Sequence, residues 1–399
     1  MTTNQLLRAR AAVVVAFAAN GLAFASFVSR IPTLGEDLGL STAQLGLLLL
    51  CLSGGSVTGL PLSGPLVQRV GPGPAVLAGA LAVTVGLTGL VVALATATVP
   101  FAAVGLFATG LGMGVWDVAM NVAGADVEQR LGSTTLMPRL HAAFSIGTVA
   151  GAAVGAVCSA TGVPLAAQVL GVVVLLPGLM VRTVRGFGTT AAAEAGPGGS
   201  GGVLAAWREP RTLLIGLLVL GFAFTEGSAN EWIAYALVNG YGASETVGAV
   251  AFGLFVTAMT AGRLLGGTVL ARFGRVAVLR AAAGLALVGL LLVLVGGSVP
   301  TALVGALFWG VGAALGFPVG MSAAADDPAR AAARVSVVSS IGYTAFLAGA
   351  PLIGLLAEDN GILRALFVVL GALLLGLLAS GAARPTGVRP AGARTTPVS

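Results

Sequence analysis

Charge is scarce in this sequence. Only 9% of its 399 residues are Asp, Glu, Lys or Arg, where soluble domains carry about a quarter. Lysine is absent, all twenty basic residues are arginine, histidine occurs once and cysteine twice. With 57% apolar residues and a mean hydropathy of +1.02, the chain has too little polar surface to cover a water-soluble globule. The lone histidine excludes a multi-histidine metal cluster, and no metal or cofactor is expected. Cys51 and Cys158 fall inside apolar runs, where buried free thiols are expected and a disulfide or zinc site is not. No Gly-x4-Gly-Lys loop is present, so direct drive by ATP has no support. A membrane-embedded enzyme needs a nucleophile–base pair or a metal cluster. One histidine and fourteen acids, mostly in loops, do not supply it, and no enzymatic activity is expected.

Long apolar runs are abundant instead. A lipid-crossing helix takes about 20 apolar residues. Cutting at glycine, proline and charge clusters predicts twelve, at 11–29, 44–64, 74–93, 101–123, 139–161, 164–182, 212–235, 247–270, 277–297, 300–321, 336–357 and 363–382. The first exceeds the ~7–15 residues of a signal-peptide core and is read as a retained span. The longest polar interruption, 183-TVRGFGTTAAAEAGPGGSGGVLAAWREPR-211, reads as a flexible linker. The expected organisation is a six-helix bundle over 1–185, a cytoplasmic linker over 186–210, a second bundle over 211–383 and a tail over 384–399. Seventeen arginines, Arg69, Arg130, Arg272 and Arg275 among them, fall on the side of the N-terminus. Only Arg30 and Arg364 fall opposite, and Arg263 lies within a span. That asymmetry predicts cytoplasmic termini in a bacterial cell membrane. The formal charge of +6 then reports membrane topology, and nucleic acid is not an expected partner.

The two halves repeat weakly. 64-GPLVQRVG-71 aligns with 267-GTVLARFG-274, and 139-RLHAAFSIG-147 with 334-RVSVVSSIG-342, each pair at the same ordinal place in its half. Parallel six-span repeats mark one transporter architecture. Over essentially its whole length the sequence resembles the major facilitator superfamily. That family's loop after span two usually carries Asp-Arg. Here Gly64, Arg69 and Gly71 match while Gln68 replaces the acid, and in the second half Arg272, Gly274 and Arg275 match with Ala271 in its place. Among the branches, the fucose-permease-like transporters are the most similar. They carry an acid in span four followed by Asn four residues on, as in 117-DVAMNV-122, and resemble this chain at 29-SRIP-32, 141-HAAFSIG-147 and 226-EGSANEW-232. The resemblance implies an all-α membrane fold with spans one, four, seven and ten around a central cavity. It also implies uptake of a small, sugar-like polar solute and gating by the loop residues Arg69, Gln68, Arg272 and Arg275, with Arg263 near the inner end; carboxylates within the spans make a proton the expected coupling ion, and a monomer is expected. Export by proton antiport and a non-transporting sensor on the same fold are the alternatives.

Helical position advances 100° per residue, so Gly110, Gly114, Asp117 and Asn121 share one stripe. A charge at mid-membrane costs about 2.5–3.5 kcal/mol or more, which persists only where the group meets water, a partner or a substrate. Span seven repeats the device with Glu226 and Asn230. Glu231 is displaced by 140° from Glu226 and is expected nearer the outer surface, beside Trp232 as an interfacial aromatic. His141, Ser145 and Thr148 form a polar stripe in span five, matched 195 residues later by Ser336, Ser340 and Tyr343. Pairing of His141 with Asp117 is expected. Trp116 is a candidate to stack on a ligand, with core packing as the alternative. The substrate-binding or proton-coupling candidates are therefore Asp117, Asn121, His141, Ser145, Glu226, Asn230, Glu231 and Trp116.

Overall fold

The computed structural model describes residues 2–131, 136–187, 204–327 and 330–385. The expected linker falls mostly outside them, as does the tail beyond residue 385. Among the described residues the chain is helical without strands, and twelve helices are long and apolar enough to cross a membrane. They run Asn4–Val28, Thr42–Val70, Pro72–Thr96, Val99–Leu131, Arg139–Ala160, Leu165–Val184, Pro210–Gly240, Glu245–Phe273, Arg275–Val295, Val299–Ala324, Ala333–Asn360 and Ile362–Ala383, and are called spans one to twelve below. A short helix, Ile31–Asp37, follows span one.

Local chemistry sets the ends. The Ser41 hydroxyl accepts from the amide of Gln44, whose side chain returns to the Ser41 amide, and this reciprocal cap opens span two. Spans two and eight end on Gly71 (φ 83°, ψ 164°) and Gly274 (φ 76°, ψ 161°). The weakly repeated loops thus share one backbone conformation, in a region that a side chain would strain.

Two boundaries differ from expectation. Span four continues two turns past residue 123 to Leu131, because 124-GADVEQRL-131 is helix-compatible and the Asp126–Arg130 pair (2.9 Å) supports it at i,i+4. Asp117 accordingly lies about 21 Å of helix rise from that end, near the middle of the span. Span ten is broken, with one segment ending at Ala313 and the next beginning at Gly316. Pro318 is the reason. It has no N–H to give the carbonyl four residues back, that of Ala314.

Spans one and seven are the most enclosed, with 67% and 72% of their apolar windows buried, against 28% for span six. They form the axis of the molecule and span six its rim. Close approach depends on glycine where backbones touch. A Cβ on Gly110 would lie 1.9 Å from the Leu52 carbonyl oxygen, and one on Gly55 2.0 Å from that of Phe107. The glycine stripe of span four thus admits span two. Gly147, Gly151 and Gly155 likewise admit span one. The halves meet where spans two and eleven and spans five and eight run together.

Candidate functional site

A cavity of about 390 Å³ lies on the axis and carries three carboxylates, Asp117 from span four and Glu226 and Glu231 from span seven. Asn230, Ser53 and Ser56 add polar atoms, and Phe24, Phe144, Phe317, Tyr343 and Phe346 form the walls. Tyr343 and Phe346 lie with ring centroids 6.4 Å apart. Such a space, mostly apolar with a few convergent polar groups, has the size and character of a small-molecule site.

Each acid has a different environment. Asp117 accepts from Asn121 Nδ2 at 3.3 Å, and the same nitrogen donates to the Asp117 carbonyl at 2.8 Å. Asn121 thus backs the carboxylate without lining the cavity. Glu226 accepts from Arg263 Nη2 at 2.8 and 2.9 Å. Arg263 Nε donates at 3.3 Å to the Ala314 carbonyl, the oxygen that Pro318 leaves free. Glu231 has no hydrogen-bond or ion-pair partner among the described residues. It extends toward Gly349 of span eleven, where an added Cβ would lie 3.9 Å from its Oε2.

A larger cavity of about 1080 Å³ extends toward the face that carries the termini, lined by His141, Ser145, Ala271, Arg275 and Ser322 among others. Phe144, Arg263 and Phe317 line both cavities and form the neck between them. The opposite face is closed. Buried Arg30 donates to the Val163 carbonyl at 2.8 Å, to Gln168 at 3.3 Å, to Thr33 at 3.2 Å and to Glu245 of the other half at 3.2 Å. The Gln168 side chain donates in turn to the Ser26 carbonyl. Thr42 with Tyr235, Glu358 with the Ala43 amide, and Thr246 with Ser159 cross between the halves nearby. Asp37 sits beside this cluster; burial pushes its carboxyl above the usual range, the Glu245 charge adds to that, and Arg30 opposes it. On the termini face, the ion pairs among the described residues join partners within one half: Arg211 and Arg275 hold Asp326 at 3.0 and 2.6 Å, and Arg334 holds Glu209 at 2.6 Å.

Several expected contacts are absent from this arrangement. Trp116 is fully buried away from both cavities, against Gly79 of span three; it is a packing residue and stacks on nothing in the chamber. Trp232 is also fully buried, edge-on to Tyr235 at 5.5 Å, and so is not interfacial. Its neighbour Glu231 reaches the cavity because span seven is central and faces protein on most sides. His141 does not meet Asp117. It lines the larger cavity while Asp117 lines the smaller, and it packs edge-on to Phe17 at 5.4 Å. Ser145 lines the larger cavity with His141, and Tyr343 the smaller, whereas Ser336 and Ser340 line neither. Gln68 and Arg69 are exposed without an ion pair among the described residues. Arg272 lies 5.3 Å from the centroid of Phe273, and Arg275 also reaches Ser322 at 2.9 Å. Arg30 was not among the candidates. Its signal was present, since it is one of only two basic residues expected on the far side.

Twelve spans in two repeated halves, enclosing a chamber with convergent polar groups that is open to one face, define an integral membrane protein of transporter architecture. The sequence pattern of the Major Facilitator Superfamily matches residues 13–233 and 229–397, and the chain belongs to that superfamily. It is 30% identical over 378 residues to an uncharacterised transporter of Sinorhizobium fredii, covering 94% of this chain and 98% of the relative. Its fold is similar to the crystal structure of the nucleoside transporter NupG (TM-score 0.71, 15% identity, 94% and 98% of the two chains). It is similar also to the crystal structure of the fucose:proton symporter FucP of E. coli (TM-score 0.66, 15% identity, 94% and 98%). The second likeness is no greater than the first, so the fold does not single out the fucose-permease branch.

Proposed function

We propose that the chain moves a small, sugar-like polar solute into the cell by alternating access, coupled to protons. The single observation that carries this reading is the meeting of three carboxylates from both halves in one chamber at mid-span. Asp117 and Glu231 have no basic partner among the described residues, so a proton or a donor-bearing solute is what relieves their charge. A carboxylate is an acceptor only, so a solute rich in hydroxyl or amide donors suits it, and the aromatic walls suit its apolar faces. Asp117, Glu226, Glu231 and Asn230 bind or couple, Asn121 orients Asp117, and His141 and Ser145 lie along the path from the neck. Arg69, Gln68, Arg272 and Arg275 act at the inner gate. The protein is taken as a monomer in the cell membrane, with both termini cytoplasmic and the linker and tail on that side. The open cavity then faces the cytoplasm, and Arg30 with Glu245 closes the outside.

The nucleoside and fucose transporters named above lend support by fold alone. The test is uptake into proteoliposomes of sugars and nucleosides, with and without a pH gradient. Asp117→Asn, which keeps the shape and removes the titrating group, is expected to abolish proton-linked accumulation while the protein stays folded. Unchanged concentrative uptake by that variant removes Asp117 from the mechanism.

A further inference from the structure

We propose that Arg263 is a positioning residue that ties the charge on Glu226 to the break in span ten, so that what binds Glu226 sets the geometry of the neck. The proposal deepens the transport reading and rests on it for its purpose, though its geometry stands without it. Pro318 leaves the Ala314 carbonyl without a helical donor, and Arg263 Nε fills that position at 3.3 Å. Through Nη2 the same guanidinium holds both oxygens of Glu226, at 2.8 and 2.9 Å. A planar fork of fixed donors presents Nε and Nη2 together, so reorienting it for one partner disturbs the other.

The segment after the break is poised to respond. Gly316 is pressed on Phe222 of span seven so closely that an added Cβ would lie 1.8 Å from its ring. Glu226 stands one turn further along that same span. Phe317, next in sequence, lines both cavities, as Phe144 does. A proton on Glu226, or a solute hydroxyl donating to it, competes with Arg263 for the same oxygens. Arg263 then turns, the Ala314 carbonyl loses its donor, and the segment Gly316–Ala324 moves Phe317 in the neck.

The experiment measures a distance and needs no substrate. Spin labels at Ala271→Cys in span eight and Ala325→Cys beyond the segment, in a Cys51→Ser, Cys158→Ser background, report where the segment lies. Arg263→Gln and Glu226→Gln are each expected to shift the distance distribution. The population ratio should change by roughly tenfold, the factor carried by one charged hydrogen bond. Pro318→Ala returns an amide donor to the Ala314 carbonyl, so adding Arg263→Gln to it is expected to produce no further shift. An unchanged distribution in Arg263→Gln overturns the proposal, as does an equal shift with and without Pro318→Ala. Should Arg263→Gln fail to fold, Glu226→Gln provides the same comparison. Because these distances are read without transport, a failure of proton-linked uptake remains separately visible.

Discussion

At the scale of single residues, the three acids of the chamber differ in what holds them, and that difference has measurable signs. Glu226 compensates Arg263, so Glu226→Gln leaves a cation without its partner. With Arg263 about 30% exposed, the expected loss is about 1–3 kcal/mol, below that of a fully buried pair. Glu231 has no such partner among the described residues, so Glu231→Gln removes an uncompensated carboxylate and is expected to raise thermal stability at neutral pH. Melting curves of the two variants in one detergent check this; shifts of equal sign would contradict the assignment. Trp116→Ala should destabilise by about 3–5 kcal/mol, as large core truncations do, while solute affinity in the surviving folded fraction is unchanged. Asp117 and Glu226 were legible in the sequence because an ionisable group in an apolar run is costly wherever it occurs. Asn121, the partner of Asp117, was legible on the same stripe, but the partner of Glu226 was not. Helical periodicity assigns a face to a residue but not a neighbour, and Arg263 lies 37 positions from Glu226. The burial of Trp232 and the inward aim of Glu231 were missed for a related reason. Angular displacement means exposure only on a rim helix, and span seven is axial.

At the scale of helices, glycine carries the packing of spans two and four. Gly110→Ala drives a methyl into the Leu52 carbonyl and is expected to lower stability by several kcal/mol or prevent assembly, since the atoms that the methyl meets are backbone. Gly171→Ala, in span six with no atom within 4 Å of the new methyl, should be neutral or slightly stabilising. Purification yield and melting temperature of the pair decide the matter. At the start of span seven, Glu209 is held below the usual carboxylate range, first by its hydrogen bond from Arg334, with Thr212 and Arg330 adding to it and burial opposing. A depressed folded pKa means a contribution present above the unfolded value of about 4.5 and lost as pH falls through the folded value. Glu209→Gln should therefore be less stable than the parent at neutral pH, by about 1 kcal/mol or less for a pair this accessible. That gap should close on acidification; a constant gap would mean that the pair contributes nothing through its charge. Span ends were readable to within a few residues from Gly, Pro and charge. The break in span ten was not anticipated, although Pro318 was visible, because proline in a lipid-spanning helix is tolerated when another donor serves the freed carbonyl, and that donor comes from span eight.

At the scale of the whole molecule, the twelve spans and the two repeated halves were written in hydropathy and in the Gly71 and Gly274 loops. Which face is open was not, because that is set by a balance between conformations and not by any one segment. The closed face depends on Arg30, whose four acceptors come from three parts of the chain. Arg30→Gln is expected to shift the population toward opening on that face, read as faster thiol labelling from that side. The account stands most squarely on the claim that the span-four carboxylate looks into a wet chamber reached from the termini face. Its most direct measurement is labelling of Asp117→Cys, in a Cys51→Ser, Cys158→Ser background, by a membrane-impermeant thiol reagent added to one side at a time. The account predicts ready reaction from the face bearing the termini, slower reaction from the other, and none at Trp116→Cys. Inertness of Asp117→Cys from both faces, with Ser322→Cys reacting normally in the larger cavity, would contradict it.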